Sequence, residues 1–168
     1  MSGAQPRRVL GIDLGDRRIG LAIREDSAAP RGLPTMMRLA TAAADSERLR
    51  TIAAEGRVTE LVVGLPLHSD GSVGTQATAT LRWASEVASA LQLPITFVDE
   101  RYSSQRAEAS LGRAARGSNG GAPGPARREA RRAAVDREAA RLILEDALNP
   151  ALLIDPTTLA VHVRESAT

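Results

Sequence analysis

The sequence predicts an α/β domain of pattern βββαβαβα, a mixed five-stranded sheet with antiparallel edge strands, a parallel part and helices on both faces. Three observations carry this. Two strand-forming runs, residues 8–15 and 18–24, meet at Gly15-Asp16, a pair suited to a tight hairpin turn. Leu61-Val-Val-Gly-Leu65 and Pro94-Ile-Thr-Phe-Val98 are short continuous apolar runs, as expected of strands buried on both faces of a parallel sheet. Segments with helical apolar spacing separate and follow those runs, which is the alternation that builds such a sheet.

In chain order, the hairpin is followed by the loop Pro30-Arg-Gly-Leu-Pro34 and a weaker strand over residues 35–39. Asp45 reads as the N-cap of a helix that carries Leu49, Ile52 and Ala53 and is closed by Gly56. After the strand at 61–65 and a loop at 66–74, a second helix reaches Leu91 with Leu81, Ala84, Val87 and Ala88 on one side. The strand at 94–98 leads to a short helix that Ser103 or Ser104 can cap and that ends at Leu111. Gly117-Ser-Asn-Gly-Gly-Ala-Pro-Gly-Pro125 has no apolar period and several chain breakers, so an Arg- and Gly-rich mobile loop is placed at 112–132. The last clear helix starts at Ala126 or Ala130 and ends before Asn149-Pro150. This divides the chain into a tail (1–7), the domain (8–148) and an extension (149–168) with one more strand around 159–163.

The chain has 168 residues, 43% apolar and 25% charged, enough for one core and too little for two. With no Cys, a disulfide scaffold, a thiolate metal site and a cysteine nucleophile are excluded, and two His are too few for a His-rich metal site. No run approaches the roughly 18 apolar residues of a membrane span, and a cytoplasmic protein is expected.

All 22 basic residues are Arg. Between Arg101 and Arg141 there are ten Arg against four acids, while the remainder of the chain is net acidic. Such asymmetry points to a polyanionic partner, because Arg pairs bidentately with phosphate. Candidate phosphate contacts are Arg18, Arg101, Arg106, Arg113, Arg116, Arg127, Arg128, Arg131 and Arg132. Three aromatic residues are too few for a platform that stacks splayed bases, so backbone and shape should dominate recognition.

Carboxylates in apolar contexts are the sharpest signal. Asp13 interrupts a strand whose other residues belong in a core, where a bare charge is costly. Asp99-Glu100 follows a buried strand, so one or both acids emerge at the edge where open α/β sheets place their ligands. On the last helix, at about 100° per residue from Val135 at 0°, Ala139, Ile143, Ala147, Ala140 and Leu144 fall at about 40°, 80°, 120°, 140° and 180° and Asp136 at about 100°, in the middle of the apolar arc. Glu138 and Glu145, at about 300° and 280°, are placed toward solvent. Three acids aimed at one region repel unless a cation neutralises them, and oxygen-only ligands indicate Mg²⁺ or Mn²⁺. Carboxylate-bound ions of this kind hydrolyse phosphodiesters.

Four motifs, in order, complete the reading: Gly11-Ile-Asp-Leu-Gly15 with Arg18-Ile-Gly-Leu-Ala22, Val62-Val-Gly-Leu-Pro66 with Asp70-Gly-Ser72, Val98-Asp-Glu-Arg-Tyr-Ser-Ser104, and Val135-Asp-Arg-Glu-Ala-Ala140 with Ile143-Leu144. Together they resemble the YqgF (RuvX) family, over about residues 8–148. The resemblance implies an RNase H-like fold and a metal-dependent nuclease, described either as a Holliday junction resolvase or as a nuclease maturing the 5′ end of pre-16S rRNA. It maps the family's catalytic, metal-binding acids onto Asp13, Glu100 and Asp136. The chain departs from the family in its longer Gly- and Arg-rich segment at 112–132 and in Ser103-Ser104, where the family has Thr-Thr. Symmetric cutting of a junction would require a homodimer, whereas rRNA processing is open to a monomer. The competing reading is a non-catalytic nucleic-acid-binding module using the basic 101–141 segment. A phosphate-binding ATPase of the actin-like kind, suggested by Asp13-Leu-Gly15, needs a second domain that 168 residues do not supply. Asp70-Gly71 reads as a turn, and His68 as an exposed loop residue.

Overall fold

The computed structural model describes residues 5–101, 103–113, 120–155 and Leu159. Its elements are β1 (Arg8–Leu14), β2 (Arg18–Glu25), β3 (Arg31–Met37), α1 (Ala42–Gly56), β4 (Glu60–Leu65), α2 (Thr75–Leu91), β5 (Ile95–Asp99), α3 (Ser103–Leu111), α4 (Pro125–Asp146) and a single 3₁₀ turn at Pro150–Leu152. The sheet order is β3-β2-β1-β4-β5, with β1-β2 and β2-β3 antiparallel and β1-β4 and β4-β5 parallel. This is the predicted mixed five-stranded sheet.

Alternation along the strands divides the core into two layers. Leu10, Ile12 and Leu14 of β1 face a layer that also holds Leu61, Val63 and Leu65 of β4, Leu49 of α1, and Leu81, Ala84 and Val87 of α2. Val9, Ala22, Val62 and Val98 face the other way, onto Ala140, Ile143 and Leu144 of α4. Helices thus cover both faces. α3 packs on the far side of α4 through Ala107, Ala139 and Leu142.

Glycines in three strands let α4 lie directly on the sheet. A β-carbon at Gly11 of β1 would meet Leu144 and the Ala140 carbonyl, one at Gly20 of β2 would overlap the Asp136 backbone, and one at Gly32 of β3 would strike the Arg137 side chain. Glycine inside a strand weakens it, and here the return is close approach of a helix backbone.

Several expectations are corrected. Thr41, not Asp45, caps α1, accepting from the Ala44 N–H at 3.1 Å. Asp45 is fully buried instead, accepting from the Leu39 N–H at 2.8 Å and from Trp83 Nε1 at 2.9 Å. The third strand begins at Arg31, earlier than the expected 35, because backbone pairing with β2 carries Gly32 and Pro34 into the sheet edge. The loop at 112–132 is shorter than expected: Pro125 opens α4 at its first turn, where its missing N–H costs nothing, so residues 125–132 are helical. Residues 114–119 of that segment, including Arg116, lie outside the described residues, as does Tyr102. The C-terminal segment begins by pairing with the β5 edge, through a Val98–Leu153 bridge and the Ile154 N–H donating to the Phe97 carbonyl at 3.0 Å. Of the strand expected at 159–163, only Leu159 is described, and it is buried and helical. Among the described residues no helix is long and apolar enough to cross a membrane.

Candidate active site

Strand register places the three acids before any side-chain detail is needed. Asp13 of β1 pairs with Gly20 of β2. In the parallel direction Ile12 pairs with Val63, so the next residues, Asp13 and Gly64, are neighbours across β1 and β4. Directly paired residues project from the same face. Gly20, Asp13 and Gly64 therefore form a row across three strands on the α4 face, with a side chain only at its centre.

The two glycines leave room for the other acids. Above Gly20 stands the Asp136 backbone of α4, and against Gly64 rests Oε2 of Glu100, which occupies the space a β-carbon would fill. Glu100 lies just beyond β5, where Leu65 pairs with Asp99, and its N–H donates to the Leu65 carbonyl at 3.2 Å. Asp99 turns away: its carboxylate receives Arg101 Nη2 at 2.6 Å and the Arg101 backbone N–H at 3.0 Å. Structure thus separates the Asp99-Glu100 pair into a braced residue and one packed against Gly64.

The electrostatics follow from this packing. Burial, reinforced by the charge of Asp136, pushes the Asp13 carboxyl up to about 7. Glu100 is also raised well above the usual carboxylate range, first by burial and then by Asp13 and Asp99. Glu100 Oε2 is buried with no hydrogen-bond donor. A buried carboxylate oxygen without a donor is costly and is the position a hard cation would satisfy. Asp136 differs, since Arg18 Nε donates to its Oδ2 at 2.6 Å. Among the described residues no three acidic or His side chains converge closely enough to enclose an ion as they stand. Asp13 and Glu100 offer oxygen-only donors of the kind that suit a hard divalent cation, and Asp136 is the neighbouring third carboxylate, paired with Arg18.

The predicted Arg contacts divide into engaged and free groups. Arg18 pairs with Asp136 and, through Nη1, with Glu129 at 3.0 Å. Arg101 braces Asp99 and reaches the Ser69 carbonyl at 3.0 Å, tying the 66–74 loop to the end of β5. Arg106 pairs with the buried Asp146 at 2.7 Å. Arg131 donates to the Leu111 and Gly112 carbonyls, joining α4 to the end of α3, and Arg128 to the Pro123 carbonyl. Arg113 and Arg127 are exposed and carry no hydrogen bond or ion pair among the described residues, and Arg132 has only a 4.0 Å pair with Glu129. Arg127, Arg128, Arg131 and Arg132 all lie on the first two turns of α4. In the 66–74 loop, Asp70 accepts from the Ser72 N–H at 2.9 Å within a turn, and His68 is exposed, as expected.

Glu138 does not face solvent as the helical wheel placed it. It lies between α4 and α3, accepting from Arg141 Nη2 at 2.8 Å, which holds its carboxyl below the ordinary range, and from Ser110 Oγ at 2.9 Å, which adds to this. Gly20 and Gly64 were not singled out from the sequence as site residues. A glycine inside each of two apolar strands was the available signal.

A family model described as RuvX, Holliday junction resolvase, matches residues 7–150. A relative from Synechococcus sp. named as a candidate pre-16S rRNA nuclease is 42% identical over 141 residues, 83% of this chain and 87% of that protein. One of the same name from Roseiflexus sp. is 34% identical over 146 residues, 87% of this chain and 96% of its own. Among solved structures, T. thermophilus RuvC in complex with Holliday junction substrate superposes with a TM-score of 0.51 at 15% identity, covering 88% of this chain and 99% of that one. At that identity the likeness is one of fold, the RNase H-like arrangement.

Proposed function

The chain belongs to the RuvX family of Holliday junction resolvases, and from that membership and its row of carboxylates we propose that it is a divalent-metal-dependent nuclease acting on structured nucleic acid. One observation carries the reading: Glu100 Oε2, buried without a donor against Gly64, beside an Asp13 whose carboxyl burial and Asp136 push up to about 7. A protein that only bound a polyanion would gain nothing from turning carboxylates toward it. Asp13 and Glu100 would hold the ion, with Asp136 joining them. When bound, a divalent ion supplies Lewis-acid activation of water and neutralises charge on the phosphodiester. The protein's own part is to fix the carboxylates on rigid elements: Asp13 by the sheet, Glu100 by the β5 end and the Asp99–Arg101 brace, Asp136 by α4 seated on Gly20. The first turns of α4 present exposed Arg residues that would position phosphates without reading bases.

Precursor 16S rRNA is the favoured substrate, because relatives matching 34–42% of positions over most of their length carry that name. The test is cleavage of a 5′-extended rRNA precursor and of a synthetic four-way DNA junction, each with Mg²⁺, Mn²⁺ or EDTA. Metal-dependent cutting of the precursor alone supports the reading. Paired, symmetric cuts in the junction with the precursor left intact would replace the substrate. Tight binding of both with no cleavage under any metal would overturn the nuclease.

A further inference from the structure

Arg18 bridges two acids of one helix. Its Nε donates to Asp136 Oδ2 at 2.6 Å and its Nη1 to Glu129 Oε1 at 3.0 Å. Residues 129 and 136 are two turns apart on α4, so both look off the same side toward the start of β2. The Asp136 side chain is 23% exposed and that of Glu129 is 53%, which makes Asp136 the deeper partner and Glu129 the shallower. Asp13 and Glu100 have no ion pair among the described residues. The site therefore holds one ion-paired carboxylate and two that burial disfavours as anions, helped by the charge of Asp136 on Asp13 and by those of Asp13 and Asp99 on Glu100.

Arginine cannot shed its proton, so its charge must move whenever another cation takes its carboxylate. A guanidinium left without an anion in a part-buried position is costly. Glu129 removes that cost, since it already holds Nη1 and can keep the guanidinium while Nε lets go. A carboxylate this exposed binds weakly enough that neither position overwhelms the other.

We propose that Arg18 is a displaceable cation of the active site: it holds Asp136 while the site is ion-free, competes with a divalent ion for that carboxylate, and is received by Glu129 when the ion takes it. This rests on the metal-site reading above. It makes Arg18 and Glu129 positioning residues that set metal affinity, where the sequence placed Arg18 among the phosphate contacts.

The test is Mn²⁺ binding without nucleic acid, followed by electron paramagnetic resonance of free Mn²⁺, on the full chain and on Arg18→Gln, Glu129→Gln and Asp13→Asn, each checked for folding by circular dichroism. Arg18→Gln should tighten Mn²⁺ binding by about fivefold, the equivalent of one part-exposed ion pair. Glu129→Gln should weaken it, because the guanidinium then leans wholly on Asp136. Opposite signs from two partners of one ion pair are not expected of a strut, whose removal from either side acts alike. If a folded Arg18→Gln binds Mn²⁺ no better than the parent protein, the displacement model is wrong, and this includes the case where neither binds. If Asp13→Asn leaves Mn²⁺ binding unchanged, the fault lies with the metal-site reading itself.

Discussion

Asp13→Asn should make the metal-free protein more stable, and by an amount that grows with pH. In the folded protein the Asp13 carboxyl is raised from 3.8 to about 7, by burial first and then by Asp136. Below about pH 4 both folded and unfolded chains carry the proton and no penalty arises. As pH rises, the unfolded chain ionises first while the folded one does not, so stability is lost progressively up to about pH 7 and stays lost above it. At 1.36 kcal/mol per unit the whole penalty has a ceiling of about 4 kcal/mol. On the order of 2–3 kcal/mol of it falls between pH 5 and pH 8. Asparagine cannot ionise, and it also removes the charge that raises Glu100, so the variant's profile should be flatter on both counts. Urea unfolding in EDTA at the two pH values measures this, and the change in the difference between variant and parent is the readout, since any pH-independent cost of the amide cancels. Adding Mg²⁺ at pH 8 should restore stability to the parent by mass action and do little for the variant. If the variant and the parent keep the same separation at pH 5 and pH 8, the burial argument for Asp13 is refuted.

Three other changes test separate parts of the structure. Gly64→Ala puts a methyl group where Glu100 Oε2 and Ile143 Cδ1 now lie, and should cost about 1–3 kcal/mol in a thermal melt and weaken Mn²⁺ binding. Arg106→Ala leaves the buried Asp146 without its partner, so it should lower stability by about 1–3 kcal/mol in chemical denaturation while leaving the salt dependence of nucleic-acid binding nearly intact. Replacing Arg127, Arg128, Arg131 and Arg132 together by Ala should weaken RNA and junction binding alike and flatten the dependence of affinity on salt; an unchanged slope would move the phosphate contacts elsewhere.

Where local pattern and tertiary use coincide, the fold was readable. The β1–β2 hairpin, the apolar strands β4 and β5, and α2 each carry a period or turn that matches what they pack against. Asp136 was legible for the same reason, because a carboxylate in the middle of an apolar arc has to face the sheet. Glu138 shows the limit: a wheel assumes one packed face, and α4 is held between the sheet and α3. Asp45 has the chemistry of a cap and the position of one, yet its partner is Trp83, 38 residues away, which no local rule identifies. β3 carries Gly and Pro and gains its strand conformation from pairing with β2. That the acids share one region could be read from their burial context, whereas the reach of Arg18 to a helix 118 residues later depends on a long side chain and a docking geometry that only the folded chain provides.

The most direct measurement is single-turnover cleavage of the 5′-extended rRNA precursor by the parent protein and by Asp13→Asn, Glu100→Gln and Asp136→Asn, with Mg²⁺ in excess and folding verified for each. A single shared site predicts that the parent cuts and that every one of the three folded variants loses cleavage while still binding RNA. A folded Glu100→Gln or Asp13→Asn that cuts at the parent's rate would contradict it, because the chemistry would then lie outside the carboxylate row.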